Sequence, residues 1–97
     1  MGFNEVRRLA IDKILTGHVQ HEPRFEPGKN LLAEGVVTMD EVVQMIKCCG
    51  GKCHQTSPHH VLPSVDVHIL RPKGRYDGYY IKFYFIEPDI IFISVHM

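Results

Sequence analysis

The chain lacks any excess of charge: 11 basic and 11 acidic side chains cancel over its 97 residues. A protein that holds nucleic acid through bulk charge carries a basic balance, so binding of that kind finds no support. The 7 histidines qualify this, because a site holding imidazolium is locally positive although the count treats His as neutral. No apolar run approaches the roughly 20 residues that a membrane-spanning helix needs, so no membrane partner is expected. Met1-Gly2-Phe3-Asn4-Glu5-Val6-Arg7-Arg8 lacks the apolar core of a signal peptide, so export is not expected either. Cysteine is scarce and odd in number, at 3, with two adjacent. That argues against a disulfide framework and for a reduced, cytoplasmic setting. There is no internal repeat and no low-complexity segment. The length allows a single domain over residues 1–97 with one modest core.

What is present is concentrated at the C-terminal end. Tyr79-Tyr80-Ile81-Lys82-Phe83-Tyr84-Phe85-Ile86 and Ile90-Ile91-Phe92-Ile93-Ser94-Val95-His96 are rich in aromatic and β-branched residues. Glu87-Pro88-Asp89 parts them, which predicts a β-hairpin. Alternation puts Tyr79, Ile81, Phe83 and Phe85 on one face of the first strand and Tyr80, Lys82, Tyr84 and Ile86 on the other. In the second it groups Ile91, Ile93 and Val95 against Ile90, Phe92, Ser94 and His96. Val65-Asp66-Val67-His68-Ile69-Leu70 predicts a third strand with Val65, Val67 and Ile69 inward. Pro72-Lys73-Gly74-Arg75-Tyr76-Asp77-Gly78 is turn chemistry.

The N-terminal half reads as helical. Asn4 is a plausible N-cap, and Val6, Leu9, Ala10 and Ile14 recur at helical spacing, predicting a helix over Glu5–Thr16 that Gly17 ends. Arg7, Arg8, Asp12 and Lys13 are expected in solvent. Residues 18–30, with Pro23, Pro27 and Gly28, are expected to be irregular, and Asn30–Gly35 to make one short helical turn. Thr38-Met39-Asp40-Glu41 is a capping box opening a helix over Met39–Cys48. Residues 52–60 are expected as a loop or short edge strand. The fold class is therefore α+β, with two N-terminal helices on the apolar face of a three- or four-stranded antiparallel sheet.

Two constellations carry chemistry. With the strands neighbouring in chain order, the non-core face gathers Asp66, His68, Tyr80, Lys82, Tyr84, Ser94 and His96. Proton donors and acceptors, a fixed cation and phenols are the groups that cleave a phosphodiester by acid–base chemistry. They also suit single-stranded nucleic acid. A half-exposed sheet carries a polar outer face in any case, and that is the plainer reading. The second set is Cys48, Cys49, Cys53, His54, His59 and His60. Cys49 and Cys53 lie near the spacing of a first zinc pair, with His54 and His59 as further ligands, in a non-catalytic module that binds protein or nucleic acid. No second clean pair follows, and Cys48 and Cys49 equally suit the buried end of a helix. Arg71, Lys73 and Arg75 form a basic turn, which gains a phosphate-binding role only where it edges the polar face.

Asp66-Val67, the Pro-containing turn, Tyr80-Ile81-Lys82 and Ile93-Ser94-Val95-His96 resemble the C-terminal half of the MqsR-type mRNA interferase toxins, of the RelE-like ribonuclease superfamily. The Val6-Arg7-Arg8-Leu9 helix, Asn30-Leu31-Leu32-Ala33-Glu34 and the Met39–Ile46 helix fall in similar order, so the resemblance spans nearly the whole chain. It implies a RelE-like domain and the toxin of a type II toxin–antitoxin system, a metal-independent endoribonuclease with no cofactor. Its partners would be single-stranded mRNA, a cognate antitoxin and the ribosome. On the matching positions His96 would be the general acid or base, Tyr80 a partner in proton transfer or phosphate orientation, and Lys52 the charge stabiliser, with Lys82 and His68 assisting. The family's Gln before Asp-Val is here Pro63-Ser64-Val65, and its terminal Lys is here His96, an imidazole suited to acid–base work.

Overall fold

A computed structural model describes residues 1–23 and 26–97. Arg24 and Phe25, within the stretch expected to be irregular, lie outside the described residues. Among the described residues the architecture is α+β, two α-helices with a five-stranded mixed sheet.

Helix α1 spans Phe3–Leu15, and Gly2 rather than Asn4 is its N-cap. It buries Val6, Ala10, Lys13 and Ile14, one stripe at a spacing of three to four. Its end is a Schellman motif: Gly17 at φ 80° donates to Ile14, and His18 donates to Lys13. Lys13 departs from the expected solvated position. It is 5% exposed, and its Nζ donates to the carbonyl of Pro88 at 2.7 Å and pairs with Glu87 at 3.1 Å. The stem thus packs under the sheet while the ammonium ties α1 to the β-hairpin turn.

Helix α2, Met39–Lys47, begins with the expected capping box. The Thr38 hydroxyl accepts from the Glu41 N–H at 3.1 Å, and the Glu41 carboxylate accepts from the Thr38 N–H at 3.0 Å. Val42, Val43, Met45 and Ile46 are its buried side. Before it, Glu34 N–H bonds Asn30 C=O, closing the single turn expected there.

The strands are β1 (Val19–His21), β2 (His54–Pro58), β3 (Asp66–Leu70), β4 (Tyr80–Ile86) and β5 (Asp89–His96), in the spatial order β1-β5-β4-β3-β2. Two strands exceed the expected antiparallel meander. β2 is the short edge strand allowed for residues 52–60. β1 lies inside the stretch expected to be irregular, pairs parallel with β5 through Val19–Ile90, and separates the helices in chain order.

The face assignment differs from the expected one in two places. In β3 the helix side carries His68 and Leu70, because His68 lies opposite Phe83 and Leu70 opposite Ile81. Val67 points the other way, into a small cluster with Tyr84 and Ile93. In β5 the register breaks: Lys82 opposes Ser94 but Phe83 opposes Phe92, so Ile93 is an extra residue, a β-bulge. Before the bulge Ile90 and Phe92 face the helices, and after it Val95 does; Ile91 and Ile93 face away. Expecting Ile91, Ile93 and Val95 on one side is therefore corrected by one inserted residue. The bulge also decides the site. With Phe92 inward, unbroken alternation would turn His96 inward; the extra residue returns it to the open face.

Candidate functional site

On the open face, at the end where β3 leaves the sheet and β5 finishes, four side chains form a lateral row from β2 to β5. Gln55 Oε1 accepts a 2.6 Å hydrogen bond from the Arg71 guanidinium. That guanidinium lies 5.1 Å from the centroid of the Tyr80 ring. Tyr80 is stacked on His96, 5.1 Å between centroids and 24° between planes. The backbone makes this row unavoidable: Tyr80 is the direct partner of His96, and the Arg71 N–H is pinned to Cys53 C=O at 3.0 Å. His96 Nδ1 is 3.0 Å from the carbonyl of Met97. A carbonyl only accepts, so Nδ1 carries the hydrogen, and Nε2 of the neutral ring keeps its lone pair. Lys82 and Ser94 form the next row of the same face.

The basic turn divides accordingly. Arg71 edges the polar face, whereas Arg75 sits over the ring of Tyr76, 5.4 Å from its centroid, away from the row.

His68 does not join this row. It is 4% exposed on the helix side, between Phe83 and Phe85, with its Nδ1 3.0 Å from His54 Nε2. Burial, and then the charge of His54, push its pKa down to about 4. Burial lowers His54 too. A neutral imidazole under the helices supplies no cation to a phosphate on the opposite face. The expectation that puts His68 on one face with Tyr80 and His96 is overturned by the reversed face of β3. Asp66, of the same parity, leaves the open face with it. Lys52 is exposed in the 3-10 turn Gly51–Cys53 that feeds β2. It stands at the edge, three strand spacings or roughly 14 Å from β5.

The Cys/His set is dispersed. Cys49 is 3% exposed, its thiol bonded to Met45 C=O, and burial, then the neighbouring Cys53 and Cys48, push its pKa up to about 12. It is the buried helix end, not a thiolate. Cys53 packs partly against the core. His54 opens β2 and His59 follows its last residue, some 16 Å away along a strand. Among the described residues no three His, Cys, Asp or Glu converge to hold a metal ion.

At the far end of the open face is a cleft of about 500 Å³ that adjoins Lys82. One acid organises its wall. Glu22 Oε1 accepts from the Tyr84 hydroxyl at 2.7 Å and lies 3.2 Å from His59 Nε2. His59 Nδ1 accepts from the N–H groups of Val61 and Leu62, both at 3.1 Å, so Nε2 bears the hydrogen and donates to Glu22. Burial works to raise the Glu22 pKa, but the hydrogen bonds that Tyr84 and His59 donate, with the electrostatic pull of the neighbouring imidazoles, outweigh it, and the net shift is downward. Burial and the bond to Glu22 push Tyr84 up to about 12.

Alternation within β4 finds Tyr80 and Lys82, and His96 joins them through the β5 bulge. Alternation misses Gln55 and Arg71, whose strand ends are set by tertiary pairing, and the Glu22–His59 contact, which joins residues 37 apart. No protein-family model matches the chain, and no curated protein matches it significantly in sequence.

Proposed function

We propose that the chain is a RelE-like, metal-independent endoribonuclease that cleaves single-stranded mRNA, acting in the cytoplasm as the toxin of a toxin–antitoxin pair. The observation that carries this reading is the Arg71–Tyr80–His96 stack on an open sheet face, with Lys82 in the adjoining row. The helices covering only the other face of the sheet are in keeping with it.

The reaction needs three things that the row can supply. His96 Nε2 takes the proton of a ribose 2′-hydroxyl as its oxygen forms a bond to the adjacent phosphorus. Arg71, fixed by Gln55, and Lys82 stabilise the charge that gathers on the phosphorane oxygens. The Tyr80 hydroxyl gives a proton to the leaving 5′-oxygen as the P–O5′ bond breaks. The products are a 2′,3′-cyclic phosphate and a 5′-hydroxyl. Arg71 thus takes the stabilising role expected of Lys52, and His68 has none.

The test is incubation of the folded protein with single-stranded RNA in EDTA, free and on translating ribosomes, followed by end-group analysis. Cyclic phosphate ends that persist in EDTA and vanish in Tyr80→Phe support the reading. Intact RNA in both settings overturns it.

A further inference from the structure

We infer that the cleft beside Lys82 is a nucleobase subsite, which takes a base bearing an exocyclic amino group and reads that amino group with the Glu22 carboxylate. The inference rests on the ribonuclease reading for its place in a longer substrate, and it names the class of base that lies next to the cleavage row.

Three observations lead to it. The cleft, about 500 Å³, is of a size that takes one nucleotide, and the largely buried Val67 and Ile93 belong to its lining. Ser57 and His60 line the same cleft and offer a hydroxyl and an imidazole to a base. Lys82 lines the cleft and also belongs to the row beside Tyr80 and His96, so it stands where the phosphate joining the two subsites would run.

The third observation is the state of Glu22. Its Oε1 is held by Tyr84 and by the hydrogen-bearing Nε2 of His59. His59 is itself 6% exposed and anchored by two backbone N–H groups, so the acid is fixed from behind. Among the described residues no hydrogen bond engages Oε2. The net downward shift keeps the acid ionised at neutral pH. An ionised carboxylate only accepts hydrogen bonds. It therefore favours an exocyclic amino group, such as that of cytosine, and opposes the carbonyl that uracil places at the same ring position.

The experiment titrates the full chain with CMP and with UMP, following the backbone amide resonances of Val67 and Ile93. CMP should bind on the order of tenfold more tightly than UMP, the discrimination expected of one hydrogen bond to a charged group. In Glu22→Gln the amide oxygen can still accept from Tyr84 and His59 while an NH2 replaces Oε2. The preference should then reverse toward UMP. Equal affinities, a preference unchanged in Glu22→Gln, or no shift of either amide at millimolar nucleotide would overturn the inference. Should Glu22→Gln not fold, Lys82→Gln decides: both affinities lowered with the CMP preference kept supports the subsite, and unchanged affinities reject it. Because the readout is binding, failure to cleave RNA would count against the ribonuclease reading and leave this result standing.

Discussion

The two faces of the sheet treat the same residue type in opposite ways. On the helix side His21, His54 and His68 are packed against Phe92, Phe3, Phe83 and Phe85, and burial holds the pKa of all three below the ordinary value. On the open face His96 is stacked on a tyrosine with one ring nitrogen bonded to a carbonyl, and His59 is an oriented donor to an acid. Imidazole is buried among phenylalanine rings on one side and set against a tyrosine on the other. What separates the two roles is not residue type but strand parity, and in β5 a single extra residue sets that parity.

The comparison breaks most visibly at Phe83, which is fully buried on the helix side. Phe83→Ala should cost about 3–5 kcal/mol in urea unfolding, a large fraction of the stability of a domain this size. A loss near zero would mean that the helix side is not the principal core.

Acid sharpens the same contrast. In the fold His68 stays neutral down to about 4, whereas an unfolded histidine takes its proton near 6.5. Between those values the unfolded chain holds more protons, so stability falls as the pH drops from about 6.5 toward 4 and levels off below. The expected contribution of His68 is about 3 kcal/mol. Chemical denaturation across that range should show the slope, and His68→Leu should flatten it.

Two smaller effects test the periphery. Thr38→Ala removes the side-chain half of the α2 capping box and should cost about 1 kcal/mol. Lys82→Ala, next to Phe83 but on the open face, should shift stability by less than about 0.5 kcal/mol in the same assay. Near-equal costs at Lys82 and Phe83 would erase the distinction between the faces.

The contrast also explains how much of the molecule was legible in the sequence. The capping box at Thr38 and Glu41 and the stop at Gly17 are local chemistry, set by residues within one turn, and they can be read directly. The turn between Ile86 and Asp89 is equally local. β1 has 3 residues and exists only through parallel pairing with a strand some seventy positions away, which leaves no periodic trace. The β5 bulge is invisible for a related reason. A run of apolar residues on both parities, Ile90 to Ile93, accommodates either register. β3 misleads because the open face is not wholly polar: Val67, Tyr84 and Ile93 form a second apolar cluster there, so inwardness judged from valine selects the wrong side. Within the site, Tyr80 and His96 share a face because of the bulge rather than from simple alternation.

That shared face is the central claim, and one pair of measurements on His96→Ala tests it most directly. His96 is half-exposed, so the variant should unfold at nearly the same temperature as the parent. Removal of a general base should nevertheless slow cleavage of single-stranded RNA in EDTA by about 10²–10⁴-fold. Cleavage at the parental rate by the folded variant, or a loss of activity that simply tracks unfolding, would contradict a working open face built around Tyr80 and His96.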